Sequence, residues 1–343
     1  MRKLMNTLYI TSEDAYLSLK GETVEALFDD GTHKAIPLHT LEQIVCFSYK
    51  GASPALMGKC VENGILLSFY TPSGRYLADT GSNTTGNVYL RRTQYRLADD
   101  EEKSLDIARN MIIGKLLNSK YLMLHYLRDH PMSMNGDAVH SAADRITGYI
   151  GDAKKAVMVD ELRGIEGNAA AEYFGVFDEM ILRNKTDFFF AGRNRRPPTD
   201  PVNALLSFLY SLLSSDCAAA LRSVGLDPFV GFMHSDRPGR VSLALDIMEE
   251  LRSVFADRFV LTLINNQIVQ GNDFETQENG AVMLKDSARK TVLAEWQKRK
   301  KEEITHPFLK EKLPWGLVPF VQALLLARFI RGDMDGYPPF LWK

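Results

Sequence analysis

The apolar residues of this chain change their period near residue 97. Up to about Arg96 they alternate with polar residues, as in LYITSEDAYLSL, TVEALFDD and GTHKAIPLHTLEQIVCF, and Gly-Glu, Asp-Asp-Gly and Pro break the runs. Alternation puts successive side chains on opposite faces of a strand. From Leu97 onward the apolar positions return about every 3.6 residues, the stripe of an amphipathic helix. The first such block is LDIARNMIIGKLLNSKYLMLHYLRD. A segment cannot hold both periods at once, so the change marks a boundary. The expected fold class is α+β, with a β-rich domain over residues 1–97 and a larger all-α domain over 98–343.

Within the first part, KGASPALMGKCVENGILLSFYTPSGRYLAD predicts strand, a short helix over Ala55–Asn63, strand, a turn at Pro72-Ser73-Gly74, and strand. The polar, Gly-rich GSNTTGNVYL predicts a loop. The second part opens on the acids Asp99, Asp100, Glu101 and Glu102, which suit a helix N-terminus. Six more helical blocks follow, the last of them PWGLVPFVQALLLARFIRGD. Two segments interrupt them. DFFFAGRNRRPPTDPVNA is aromatic, then basic, then held by Pro197-Pro198, and its Asp200-Pro201 suits a helix cap followed by proline in the first turn. GNDFETQENGA, residues 271–281, has the composition of a mobile loop.

Composition bounds the function. No run of eighteen apolar residues is free of charge, so neither a transmembrane helix nor a membrane partner is expected. The start turns polar too early for a secretory signal. Three cysteines, Cys46, Cys60 and Cys217, form no CxxC pair and read as reduced, semi-buried thiols of a cytoplasmic protein. With 41 basic and 43 acidic residues, overall charge favours no nucleic acid, so any DNA binding must rest on local patches of positive charge.

Four places can carry chemistry. In RGIEGNAAAEYF two glycines flank Glu166 on a predicted helix. Glycine costs a helix about 1 kcal/mol relative to alanine, so close packing against this turn is expected; a merely solvated Glu166 is the plainer alternative. In LDPFVGFMHSDRPGR, His234 sits in a Gly/Pro-punctuated turn ahead of Arg237 and Arg240. Imidazole suits a transition metal and guanidinium suits phosphate. In SLALDIMEE, Asp246 and Glu249 are three apart on one helix face, opposite a core-facing stripe of Ala244, Ile247, Met248, Leu251 and Val254. Two acids on a polar face are ordinarily solvated. Last come the arginines Arg193, Arg195 and Arg196, beside Phe188, Phe189 and Phe190, which suit a DNA backbone with aromatic anchors or stacking partners. The run Lys298–Lys301 reads as a solvated helix end.

The blocks RGIEGNAAAEYF, RNRRPPTDPVNALLSFLYSLL, GLDPFVGFMHSDRPGRVSLALDIMEELR and ARFIRGDMDGYPPFLWK occur in this order after a β-rich start. Together they resemble the CRISPR-associated integrase family, the first of the numbered Cas proteins, over essentially the whole chain. The tail and the RRPPTDPVNALLSF block resemble most the branch of type I-C systems. The resemblance implies a sandwich-like N-terminal domain that mediates homodimerisation and an all-helical C-terminal domain that holds the site. It implies a metal site on Glu166, His234 and Glu249. Asp246, first of an acid pair spaced by three, takes a supporting role, and an exchange of Asp246 and Glu249 stays open. Some branches have aspartate where Glu249 stands. Tyr210 matches a helical tyrosine near the DNA, and Asn203 is expected to brace the site.

The implied chemistry is attack on a DNA phosphodiester, by the 3′-hydroxyl of a prespacer on a CRISPR repeat or by water in hydrolysis, with Mg²⁺ or Mn²⁺ as the cation. His234 as a general base is the alternative to ligation. Arg193, Arg195, Arg196, Arg237 and Arg240 would hold the backbone without reading sequence. A dimer of the second Cas protein, bridging two dimers of this chain, is the implied protein partner. Two other functions fit the residues less well: a stand-alone nuclease for branched DNA, and a helical DNA-binding scaffold without catalysis.

Overall fold

A computed structural model describes residues 6–71, 76–81, 88–194 and 197–342. The expected turn at Pro72-Ser73-Gly74 lies outside the described residues, as do Arg195 and Arg196. The chain divides into two compact units, residues 1–86 with 286–301, and residues 87–285 with 302–343. Measured against the expected break at 97, this division gives 87–97 to the helical unit and takes 286–301 from it.

The first unit holds two sheets. Strands β1 (Asn6–Ile10), β5 (Leu41–Cys46), β6 (Leu66–Tyr70) and β7 (Tyr76–Asp79) form a mixed sheet in that order; β1, β5 and β6 run parallel and β7 antiparallel. Strands β2 (Tyr16–Lys20), β3 (Thr23–Leu27) and β4 (His33–Pro37) form an antiparallel meander. The parallel step from β5 to β6 needs a crossover, which helix α1 (Pro54–Glu62) supplies, capped by Ser53 with proline in its first turn. Leu17 and Val24 from the meander, Ile44 and Leu67 from the mixed sheet, and Leu56 and Cys60 from α1 share one core. Helix α9 (Asp286–Lys301) belongs to this unit, and its buried Arg289 lies over the Phe47 ring. The run expected as a solvated helix end is only partly so, because Lys300 is buried.

The second unit is helical: α2 (Val88–Ala98), α3 (Glu101–Asp129), α4 (Gly136–Lys155), α5 (Val159–Gly175), α6 (Pro201–Ser223), α7 (Ser242–Leu251), α8 (Arg258–Asn265) and α10 (Val318–Ile330). Helix α2 corrects the reading of 88–96 as loop and β-rich chain. Its Leu90 and Gln94, four apart, are both buried, and Gln94 donates to the Asp227 and Val230 carbonyls and accepts from the Asp227 N–H. Asp100 caps α3 as expected, and Asp200 caps α6 ahead of Pro201. Helix α6 is long and apolar enough to cross a membrane, but two thirds of its apolar window is buried inside the protein. Residues 271–281 are no bare loop. They make a short 3₁₀ turn, strand β8 (Phe274–Thr276) and the hairpin turn into β9 (Val282–Leu284), whose Val282 N–H donates to the Pro198 carbonyl. The three thiols are fully buried rather than semi-buried, and burial pushes Cys60 up to about 11, which suits packing rather than reactivity.

Two features position the site. Helix α3 packs on α4, α5 and α7, and α7 packs on α3 and α6. Between α7 and α8 the rod widens into a π-helical turn, Arg252–Asp257.

Candidate active site

Asp246 and Glu249 share a face of α7 as their spacing predicts, but that face is not solvated. Every residue from Ser242 to Asp257 is buried except Leu245 and Arg252. The polar face of α7 meets other elements instead of water, so its acids need partners.

Asp246 finds them in the loop that carries His234. Its Oδ2 accepts from the backbone N–H of Phe232 (2.7 Å) and Met233 (3.0 Å), and its Oδ1 from the His234 N–H (3.0 Å). The His234 ring lies on the same carboxylate, Nδ1 to Oδ1 at 2.6 Å. A carboxylate accepts and does not donate, so Nδ1 carries the proton and Nε2 keeps its lone pair. That Nε2 stands 3.9 Å from Glu249 Oε1. The loop is tied from a second side by Arg163 of α5, whose Nε donates to the Met233 carbonyl at 2.8 Å. Gly231 makes the approach possible, since a Cβ there would lie 2.8 Å from Asp246 Oδ2 and 2.9 Å from Ser242 Cβ.

Glu249 is enclosed by charge. Arg252 Nη2 stands 3.1 Å from its Oε1, and Lys115 Nζ 2.7 Å from its Oε2. Burial alone would raise this carboxyl, but the Arg252 guanidinium and the Lys115 ammonium outweigh it and bring it down to about 2. The Lys115 ammonium also pairs with Glu166. His234 and Glu249 therefore meet directly, whereas Glu166 reaches them through Lys115. Among the described residues no three His, Cys, Asp or Glu groups stand close enough as placed to hold one metal ion. Lys115 was not among the expected site residues, because a lysine inside an apolar helical run reads as an ordinary surface position.

Beyond Glu249 the polar contacts continue. Arg252 lies over the Tyr210 ring at 4.9 Å, and Tyr210 Oη donates to Asp257 Oδ1 at 2.6 Å. Tyr173 donates to the other Asp257 oxygen at 3.0 Å. Burial pushes Asp257 up to about 6 despite both hydroxyls, and it pushes both tyrosines well above their ordinary value. Tyr210 thus faces inward. Arg193 does too, with Nη1 on Asn203 Oδ1 (2.6 Å) and its guanidinium 5.3 Å from the Tyr210 ring centre. Asn203 braces the Gly192–Asn194 loop, donating to the Gly192 carbonyl and accepting from the Asn194 N–H. Arg237 is exposed and Arg240 half-buried. Phe188 and Phe190 are core residues, which leaves Phe189, 61% exposed, as the aromatic available to a partner.

One expectation fails. Nothing packs against Gly164 or Gly167: a Cβ at either would meet no atom within 4 Å. This turn of α5 is open on its glycine side, and only Glu166 is drawn inward, by Lys115.

Glu250, beside Glu249, points the other way and pins the C-terminal tail. It accepts from the Phe340 N–H (2.6 Å), Tyr337 Oη (2.7 Å) and Gln322 Nε2 (2.8 Å), and burial pushes it up to about 8. Asn118 of α3 completes the clamp, donating to the carbonyls of Glu250 and Phe340 and accepting from the Trp342 N–H.

A β-rich unit followed by a helical unit is an arrangement shared with solved structures. A Cas1 protein from Thermotoga maritima superposes with a TM-score of 0.82 over 97% of this chain and 99% of its own, at 24% identity. A casposase bound to integration product gives 0.86 over 99% and 95%, at 21% identity. These two likenesses establish the fold. The family follows from sequence: the profile of CRISPR associated protein Cas1 matches residues 8–298. CRISPR-associated endonucleases Cas1 from Chlorobaculum tepidum and Rhodospirillum rubrum are each 48% identical over the full length of both chains. The chain belongs to the Cas1 family and is a CRISPR-associated endonuclease.

Proposed function

We propose that the chain is the integrase of CRISPR adaptation, joining the 3′-hydroxyl of a prespacer to a phosphodiester at a CRISPR repeat with Glu166, His234 and Glu249 around one divalent cation. The observation that supports this reading is that Glu249 stands 3.9 Å from His234 Nε2 and is joined to Glu166 by the shared partner Lys115.

The residues suit a cation. Two carboxylates and an imidazole nitrogen with a free lone pair are hard-to-borderline donors, a set that fits Mn²⁺ and also Mg²⁺. An ammonium already sits on both carboxylates, so the field there favours positive charge. Glu249 Oε2 is buried and accepts no hydrogen bond of good geometry. When bound, the cation would polarise the scissile phosphate and acidify the attacking hydroxyl. The protein's own part is positioning. Asp246 holds the His234 ring in one tautomer, and Arg163 fixes the loop beneath it. Arg252 keeps Glu249 ionised. Arg237, exposed three residues after His234, together with Arg195, Arg196, Arg240 and the loop built on Arg193, would hold the DNA backbone without reading bases. Tyr210, enclosed behind Arg252, would act on DNA only through that arginine.

The remaining assignments belong to the same reading: the β-rich unit as the homodimerisation surface, the second Cas protein as partner, a cytoplasmic setting, and the type I-C branch. Part of one chain of a solved Cas6-RT-Cas1–Cas2 complex has the same fold, with a TM-score of 0.82 over 36% of that chain.

The test is strand transfer of a labelled prespacer into a repeat-bearing plasmid, with the second Cas protein present, in Mg²⁺, Mn²⁺ or EDTA. A longer, cation-dependent product that is lost in His234→Ala and Glu166→Gln is expected. Cation-dependent cutting without transfer would leave the stand-alone nuclease. A product unchanged in both variants would remove these residues from the site.

A further inference from the structure

Lys115 lies mid-way along α3, and its side chain is only 10% exposed. A buried ammonium is costly and persists only where opposite charge compensates it. Its two partners are Glu166 from α5 and Glu249 from α7, the same carboxylates assigned above to the divalent cation. The division of labour on Glu249 is informative. Arg252 holds Oε1, on the side of His234, and Lys115 holds Oε2, on the side of Glu166. Arg252 therefore leaves the path between Glu166 and Glu249 open, and Lys115 closes it. Two cations cannot share that path without repelling one another.

We propose that Lys115 is the resident counter-cation of this site and competes with the divalent cation for Glu166 and Glu249. The inference rests on reading those two carboxylates as the cation-binding pair. While Lys115 is seated, its charge prevents the two carboxylates from repelling and keeps the three helices together. Divalent binding unseats it, and the ammonium swings out of the pair. Lys115 is thus a positioning residue that sets how tightly the cation binds, and cation binding and lysine release are two readouts of one equilibrium.

The first test leaves the protein unaltered. Full-length protein is acetylated at low dose with an amine-reactive ester in EDTA or in Mn²⁺, and labelling is read peptide by peptide by mass spectrometry. Lys120, which donates to Thr147 Oγ1 further along α3, serves as the internal reference. The expected result is slow labelling of Lys115 in EDTA and a severalfold rise, relative to Lys120, in Mn²⁺. The second test is calorimetric titration with Mn²⁺. Lys115→Met keeps the length of the side chain and removes its charge, and it should tighten Kd by about tenfold, or about 1.4 kcal/mol. Lys115→Arg, which keeps the charge, should not tighten it. If Mn²⁺ binds the native protein but Lys115 labelling is flat or falls, the competition is refuted while the cation site stands. If Mn²⁺ binds neither the native protein nor Lys115→Met, both readings fall. Should Lys115→Met not fold, the labelling result decides.

Discussion

Replacing Asp246 with asparagine isolates the contribution of one buried carboxylate. Asp246 is 0% exposed and receives four contacts, two on each oxygen: Phe232 N and Met233 N on Oδ2, His234 N and His234 Nδ1 on Oδ1. Asparagine replaces one oxygen with an NH₂, so one donor is stranded if the NH₂ faces His234, whose ring can change tautomer, and two if it faces Phe232 and Met233. A stranded buried donor costs about 1–3 kcal/mol, so the variant should lose about 2–4 kcal/mol of stability, as guanidinium unfolding at unchanged m would show. The functional effect follows from tautomerism. If the NH₂ faces His234, Nδ1 must accept, the proton moves to Nε2, and the lone pair directed at the Glu249 side is lost. If it faces Phe232 and Met233, their amides have no acceptor and the loop lifts. Either way Mn²⁺ affinity should fall by about 10- to 100-fold, as it does when the partner of a metal-bound histidine is removed. Calorimetric titration measures this directly. A variant with native stability and native Kd would refute the argument outright. Lost stability with an unchanged Kd would show that Asp246 holds the loop but not the ring.

Gly231→Ala attacks the same loop sterically. With a Cβ 2.8 Å from Asp246 Oδ2, it should cost about 1–3 kcal/mol and lower Mn²⁺ affinity, measured in the same two assays. Asn118→Ala removes three buried hydrogen bonds to Glu250 and the tail, and a loss of about 3 kcal/mol is expected, with residues 337–342 becoming open to limited proteolysis. Asp257 gives a pH dependence of known sign. Its carboxyl rises from 3.8 to about 6 on folding, so the folded protein binds that proton more tightly. The associated stability is fully present below pH 3.8 and is lost as pH rises through 6, a total of about 3 kcal/mol. Urea unfolding at stepped pH should show this decline in the native protein and its absence in Asp257→Asn; equal slopes would refute the assignment.

The change of period separates strand from helix because it reports which faces are apolar, and that was legible from the order of the residues alone. Caps were legible for the same local reason, since Asp100 and Asp200-Pro201 act within one turn of themselves. Burial of polar residues was not. The acids of α7 look like a solvated face, because a pattern of spacing cannot tell water from a buried lysine on a distant helix, Lys115 of α3. Glu250 was missed for that reason, and its partners lie 72 to 90 residues downstream. Conversely, the glycines beside Glu166 suggested close packing and instead border open space. A missing side chain signals an approach or an opening equally well.

The π-helical turn explains how one rod serves so many polar contacts. In a regular α-helix, eight positions amount to about 2.2 turns, which would set Asp257 well around the axis from Glu249. A widened turn advances less per residue, and wide turns of this kind recur at functional sites. Here the turn lets Arg252 touch both Glu249 and the Tyr210 ring, and lets Tyr210 reach Asp257. Lys115, Glu249, Arg252, Tyr210, Asp257 and Tyr173 thus form one unbroken chain of polar contacts through a helical core. Well-packed apolar residues of the same volume would often hold such a core as well or better. Stability therefore does not account for this set of buried charges, whereas the proposed site, binding a cation between two carboxylates with an imidazole held beside them in one tautomer, would require it.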